Sequence, residues 1–193
     1  MSGNNIRGKL LVISGPSGVG KTEVSIALRK LGDFYVKSVS ATTRGIRVTE
    51  TEGVDYFFVS NEKFEEMRNS GDLLETTFYN GNHYGTPKKF VEKVVGEGKV
   101  AILVIDVAGA IQIKEMFPDA VLCFLNAESL AAIEKRLRNR NTDKEEAIIN
   151  RLAVAKGELE SIGEFDFVVM NRDGEMEKAA AEIDVIVREM LGK

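Results

Sequence analysis

Short apolar runs alternate along the chain with segments in which apolar residues recur every three or four positions. The runs are rich in β-branched side chains, which is typical of parallel strands covered on both faces. They predict core strands at residues 9–14, 35–39, 100–105, 121–125 and 167–170. The helical spacing predicts helices at residues 21–31, 111–116, 130–137, 148–159 and 179–190. We therefore expect an α/β fold with a central parallel sheet flanked by helices.

The pattern changes between about residues 40 and 86. Alternating and aromatic strands are predicted at residues 56–59 and 73–78, followed by turn residues at 80–82. We expect a small antiparallel insertion here, after which Thr86 and Pro87 predict the N-cap and first residue of a helix that ends at Glu97. The core then comprises residues 1–39 and 87–193, with an exposed, Arg-rich lid at about 138–146.

Composition narrows the class of protein. With 193 residues, 44% hydrophobic and 29% charged, the chain is long enough for one well-packed domain. Its net charge of −4 argues against a nucleic-acid or anionic membrane surface. Cys123, the sole cysteine, lies in an apolar run, and no segment approaches the roughly 20 apolar residues of a membrane span. We expect a cytoplasmic protein, a monomer or small homo-oligomer, without disulfides.

A glycine-rich loop follows the first predicted strand and opens the first predicted helix. It fits the pattern G-x-x-x-x-G-K-[ST], in which glycines let backbone N–H groups converge on phosphate oxygens. The lysine neutralises the β- and γ-phosphates, and the threonine hydroxyl is a ligand for Mg²⁺. The motif predicts an ATP-binding loop formed by Gly15, Pro16, Ser17, Gly18, Val19, Gly20, Lys21 and Thr22.

Such a loop by itself indicates a nucleoside triphosphate without naming the reaction. A GTPase is one interpretation, because residues 106–109 fit D-x-x-G after a strand. The chain has no N-K-x-D sequence for guanine recognition, which argues against that interpretation.

A second anion site is indicated after the second strand. Arg44 and Arg47 lie three residues apart in a hydroxyl-rich segment, residues 40–47. Two guanidinium groups at this spacing suit a phosphate dianion, which they can bind with paired hydrogen bonds.

Together with further motifs, these segments resemble the guanylate kinase family over essentially the whole chain. The motifs, in the family's order, are SGPSGVGKT, VSATTRGIR, VDY at residues 54–56, LE at 74–75, NHYGT at 82–86, ID at 105–106 and the Arg-rich lid. The resemblance implies a P-loop kinase with a GMP-binding insertion. It also implies transfer of phosphate from ATP to GMP, and acceptance of dGMP, with Mg²⁺ as cofactor.

The resemblance also implies individual roles. The GMP phosphate would be held by Arg44, Arg47, Tyr56 and Tyr84, and the guanine would be read by Ser40, Glu75, Thr86 and Asp106. Asn171 would lie near the base of ATP. The catalytic cations would be Lys21, Arg44, Arg136, Arg140 and Arg151, with Thr22 at the metal.

Two positions depart from the family pattern. Val104 stands where the family usually has a carboxylate that holds water around Mg²⁺, so we expect a high Mg²⁺ requirement. Asn139 and Asn141 replace glycines that are common in the lid. The competing interpretations are a non-catalytic guanylate-kinase-like binding module, against which the intact phosphate loop argues, and a nucleoside monophosphate kinase of another base specificity.

Overall fold

The computed structural model describes residues 8–79, 81–139 and 145–192. The strands in that part of the chain are β1 (Lys9–Ser14), β2 (Tyr35–Lys37), β3 (Ser40–Thr42), β4 (Tyr56–Phe58), β5 (Leu73–Tyr79), β6 (Asn82–Pro87), β7 (Val100–Val104), β8 (Val121–Asn126) and β9 (Phe167–Met170). The α-helices are α1 (Lys21–Arg29), α2 (Asn61–Asn69), α3 (Lys88–Gly96), α4 (Val107–Met116), α5 (Leu130–Asn139), α6 (Glu145–Glu160) and α7 (Met176–Leu191). None of these helices is long and apolar enough to cross a membrane.

The core sheet has the strand order β2-β7-β1-β8-β9, and every neighbouring pair is parallel. Its central strand β1 is buried on both faces. Leu11 and Ile13 pack against α1, α5, α6 and α7, whereas Leu10 and Val12 pack against α3 and α4. The predicted α/β fold with a parallel sheet between two layers of helices is therefore confirmed.

The second sheet, with the order β4-β3-β6-β5, is mixed rather than antiparallel as predicted. β6 runs antiparallel to both β3 and β5, but β3 and β4 are parallel. The loop between β3 and β4 explains the difference, because it returns the chain to the level of Ser40, so that Tyr56 pairs with Ser40. A short hairpin turn would have forced the opposite direction.

Helix α2 was not predicted. It begins after Ser60, whose hydroxyl accepts a hydrogen bond from the Lys63 N–H at 3.2 Å. Phe64 is its one buried residue, so the helix lacks the repeated apolar positions that reveal an amphipathic helix in a sequence. The N-cap residue Ser60 is the sequence feature that could have indicated this helix.

The predicted start of α3 is wrong by one residue. Pro87 is the N-cap and Thr86 lies in β6, fully buried, where its hydroxyl donates to the Glu75 carboxylate instead of capping the helix. Among the other predictions, Asn80 of the hairpin turn and Arg140 and Asn141 of the lid lie outside the described residues.

Candidate nucleotide-binding cleft

The phosphate loop joins the end of β1 to the start of α1 in a shape that requires glycine. Gly15, Gly18 and Gly20 have φ values of 129°, 87° and 96°. A Cβ atom on Gly15 would lie 2.1 Å from the Leu125 carbonyl oxygen of β8. Side chains at these positions would therefore be strained, and at Gly15 one would collide with the neighbouring strand.

Lys21 closes this loop on itself. Its ammonium donates to the carbonyl oxygens of Gly15, at 2.5 Å, and Pro16, at 3.1 Å. Thr22, the next residue, is exposed in the first turn of α1. The helix N-terminus and the lysine together concentrate positive charge where the motif predicts phosphate.

Two side chains brace the loop from behind. The Asn171 amide donates to the Val19 carbonyl at 2.8 Å, and Arg136 donates to the same carbonyl at 3.2 Å and to the Asn171 carbonyl at 2.7 Å. Asn171 is buried, and its Oδ1 has no hydrogen-bond partner within the described residues. This oxygen is an unpartnered buried acceptor beside the loop, of the kind that native structures seldom leave unused.

Arg136 is held in place by acids as well. Its guanidinium pairs with Asp173 at 2.9 Å and with Glu128 at 3.3 Å. It lies behind the loop rather than on the wall of the cleft described next.

A cleft of about 320 Å³ lies between the phosphate loop and the second sheet. The predicted site residues that line it are Ser17, Lys21, Thr22, Ser40, Arg44, Arg47, Tyr56, Glu75, Tyr84, Asp106 and Arg151. The structure therefore gathers the predicted donor and acceptor groups around one space. Gly15, Pro16, Gly18, Val19 and Gly20 shape the loop without lining the cleft, and Thr86 lies behind Glu75.

A cationic and aromatic cluster forms one end of the cleft. The Arg44 guanidinium lies 5.4 Å from the centre of the Tyr56 ring and interacts with the Tyr84 side chain, and the two tyrosine rings are 6.0 Å apart. Both nitrogens of Arg44 donate to the Glu50 carboxylate, at 3.0 and 2.7 Å. The Glu50 carboxylate therefore binds the Arg44 guanidinium, which the sequence analysis assigns to a phosphate.

Glu50 was missed by sequence reasoning. Partial burial would raise the pKa of its carboxyl group, but hydrogen bonds from Arg44 and from the Arg47 N–H outweigh that effect and lower it. The Arg47 side chain is 56% exposed and lies 3.9 Å from Glu50, so its guanidinium has room to turn towards a ligand. Glu50 is thus the charged partner of both Arg44 and Arg47.

A buried carboxyl group stands at the base of the cleft. Glu75 is 4% exposed and accepts a hydrogen bond from the Thr86 hydroxyl at 2.8 Å. Burial raises the pKa of Glu75 to about 7; the Thr86 bond opposes the rise, and the nearby Asp106 carboxylate adds to it. Glu75 therefore changes its charge close to neutral pH.

Asp106 caps helix α4, where its carboxylate accepts from the Gly109 N–H at 2.8 Å. A Cβ on Gly109 would lie 3.0 Å from Glu75 Oε2 and 3.1 Å from Asp106 Oδ1. The glycine thus leaves space for two carboxylates to approach the same point. Such a pair suits a ligand that presents several hydrogen-bond donors.

Further side chains on the wall of the cleft were not predicted, among them Lys37, Tyr79 and Glu158. Tyr79 and Glu158 both interact with Ser17 of the phosphate loop, through its side chain and its backbone N–H respectively. Burial raises the pKa of Glu158, and the Lys21 ammonium opposes that rise. None of the three belongs to a motif, and only the fold brings them to the loop.

The available oxygens fit Mg²⁺. Thr22 offers an exposed hydroxyl and Asp106 a carboxylate on the same cleft. The described part of the chain has no group of three metal-ligating His, Cys, Asp or Glu residues. This sparse oxygen set suits an ion that keeps several waters and takes most of its other ligands from nucleotide phosphates.

The chain matches known proteins along nearly all of its length. The family model for guanylate kinase matches residues 7–190. A guanylate kinase of Halalkalibacterium halodurans is 46% identical over 181 residues, which cover 94% of this chain and 88% of the relative. A guanylate kinase of Nostoc sp. is 43% identical over 180 residues, which cover 93% and 90% of the two chains.

A solved structure agrees with these matches. The guanylate kinase from Anaplasma phagocytophilum superimposes with a TM-score of 0.80 at 34% identity, covering 96% of this chain and 87% of that one. The phosphate loop, the second anion-binding cluster and the buried carboxyl group are thus found in a chain that belongs to the guanylate kinase family of nucleotide kinases.

Proposed function

We propose that the protein transfers the γ-phosphoryl group of MgATP to the phosphate of GMP, and of dGMP, giving GDP or dGDP and ADP in the cytoplasm. One observation supports this most directly: a single cleft is lined by the phosphate loop, by the Arg44 cluster and by the buried carboxyl group of Glu75. Two phosphate sites and a base-reading acid are what this reaction requires. The intact Lys21 and Thr22 argue against a non-catalytic binding module.

On the donor side, ATP phosphates replace the loop's own carbonyls as partners of Lys21. The ammonium leaves Gly15 and Pro16 and neutralises the charge that spreads over the transferring group. Asn171 Oδ1 then accepts a hydrogen bond from the amino group of adenine. Mg²⁺, held by the Thr22 hydroxyl and the phosphates, supplies further positive charge when bound.

On the acceptor side, the phosphate of GMP competes with Glu50 for Arg44. A dianion offers the guanidinium more charge than a carboxylate does, and Tyr56, Tyr84 and Arg47 supply further donors around it. Glu50 keeps Arg44 oriented until GMP arrives. Because one anion replaces another, the Arg44 guanidinium keeps an anionic partner at every stage.

Guanine is distinguished from adenine by its hydrogen-bond pattern. Its N1–H and N2 amino group donate to the ionised Glu75 and to Asp106, whereas hydroxyl groups of Ser40 and Thr86 can donate to O6. Adenine lacks the N1–H donor and would leave buried acceptors unpaired. Missing hydrogen bonds of this kind can discriminate by as much as about 10⁴ to 10⁵.

The remaining predicted cations act after both nucleotides bind. Arg151 lines the cleft from α6, and the lid residue Arg140 precedes that helix in the chain. Their guanidinium groups stabilise charge on the transferring phosphoryl group as the lid closes. Arg136 contributes by holding the Val19 carbonyl, and so the shape of the loop.

Lys21→Ala removes the ammonium that neutralises charge as the phosphoryl group moves. We expect kcat to fall about a thousandfold while GMP still binds, because the acceptor site is separate. Turnover and calorimetric GMP binding measure the two effects. Lys30→Ala, at the exposed end of the same helix, is the control and should behave as wild type. Near wild-type turnover by Lys21→Ala would contradict the assignment of the loop.

Glu75→Gln replaces an acceptor by a group that also donates. We expect the KM for GMP to rise about tenfold to a hundredfold, with the KM for ATP little changed. Because the raised pKa of Glu75 makes its ionised form destabilising above pH 7, the variant should also be more stable than wild type at pH 8, but not at pH 4.5. Glu115→Gln, on an exposed site of α4, is the control. Equal losses for both substrates would point to a structural role.

GMP affinity should depend on pH through Glu75. Guanine needs the ionised carboxylate, whose pKa is about 7 in the free protein, so the Kd should rise about tenfold for each pH unit below 7. The phosphate of GMP titrates near pH 6 as well. The measurement is therefore the difference between the pH profiles of wild type and Glu75→Gln, in which the contribution of the phosphate cancels. Parallel profiles would show that Glu75 is ionised throughout.

A further inference from the structure

Lys37 is the last residue of β2, at the edge of the core sheet that meets the cleft. It pairs with Ile102 of β7 in parallel register. Since alternate residues of a strand share a face, Lys37 projects on the same face as Ile102 and Val104. Both Lys37 and Val104 line the cleft. The lysine thus lies beside an apolar strand end on the wall of the cleft.

The Lys37 side chain is partly buried on the wall of the cleft. In the part of the chain that the structure describes, it forms neither a hydrogen bond nor a salt bridge. Burial lowers its pKa, the Asp55 carboxylate opposes that effect, and Arg29 adds to it. Asp55 is therefore a counter-charge that acts on Lys37 without a direct hydrogen bond, and its Oδ2 also accepts from the Thr51 N–H at 2.8 Å.

Such a residue costs the free protein stability. A cation that is partly removed from water is normally compensated by an acid or by carbonyl groups. An ordinary surface lysine would keep its ammonium in water, as Lys89 does with a side chain that is 87% exposed. The other cations of the cleft have internal partners, Lys21 on its own loop and Arg44 on Glu50. Lys37, in contrast, has no direct hydrogen-bond partner among the described residues.

The surroundings of Lys37 indicate its ligand. Lys37 shares the cleft with Lys21 and Thr22 of the phosphate loop and with Ser40 and Arg44 of the second anion site. Val104 contributes no charge to pair with it. An oxygen of a nucleotide phosphate is the anion that this space is built to receive, and an ammonium is a suitable point-charge partner for it.

We propose that Lys37 binds a phosphate oxygen at the junction of the two nucleotides, as a further cation beside Lys21 and Arg44. The proposal rests on the proposed function and adds a residue to it. The contact forms with the phosphate of GMP or with the terminal phosphate of ATP, and it offsets the repulsion between the two anions. Its removal therefore weakens binding or turnover while relieving the free protein of a partly buried charge that has no direct hydrogen-bond partner in the described part of the chain.

The test compares Lys37→Met, which keeps the length of the side chain without its charge, with Lys37→Arg and with Lys89→Met as a matched surface control. We expect Lys37→Met to lower kcat/KM for GMP about tenfold to a hundredfold and to melt no earlier than wild type. Lys37→Arg should recover part of the loss. Calorimetry with GMP alone and with ATP alone identifies the source of the phosphate, because the affinity for the nucleotide that Lys37 contacts should fall.

Three results would overturn the proposal. Lys37→Met could match Lys89→Met in turnover and in both affinities, or it could lose stability together with activity, which would make Lys37 structural. Alternatively, Asp55→Asn could reproduce the loss, which would mean that Lys37 acts by holding the insertion. Wild-type turnover of GMP, measured alongside, separates these results from failure of the proposed function itself.

Discussion

The close approach of Gly15 to strand β8 is the constraint on which the cleft depends. A Cβ atom on Gly15 would lie 2.1 Å from the Leu125 carbonyl oxygen, which excludes any side chain. The loop can therefore turn sharply at the end of β1 and enter α1 with its N–H groups directed outwards. Asn171 and Arg136 fix the resulting shape through the Val19 carbonyl. The phosphate site is thus built into the core before any nucleotide binds.

Charges in the cleft are balanced by exchange. The Lys21 ammonium donates to carbonyls of its own loop, and the Arg44 guanidinium donates to Glu50. Both of these cations therefore have an internal partner that a phosphate can displace. Glu75 is handled in another way, since burial raises its pKa to about 7, and in our proposal guanine supplies donors to its ionised form. These arrangements explain how a chain with a net charge of −4 binds two polyanions through a local cluster of cations.

Features with a local signal could be predicted from the sequence, and features made by the fold could not. Strands β1 and β9 match their predicted bounds, because a buried parallel strand is a continuous apolar run. The phosphate loop follows from its glycines, and Glu75 from the order of family motifs. Helix α2 and the parallel β3–β4 pair lack such signals. Glu50 is only six residues from its partner Arg44, but it belongs to none of the motifs that the sequence analysis used. Lys37 reaches the cleft only when distant segments meet, which a single sequence does not show.

The central claim is that the buried Glu75 and the neighbouring Asp106 select guanine for a phosphoryl transfer at this loop. A coupled assay of purified protein with MgATP and, in turn, GMP, dGMP, AMP, CMP and UMP tests it most directly. The account predicts turnover of GMP and dGMP, with AMP left essentially untouched because it cannot donate to Glu75 from N1. Turnover of AMP at a rate comparable to that of GMP would contradict it.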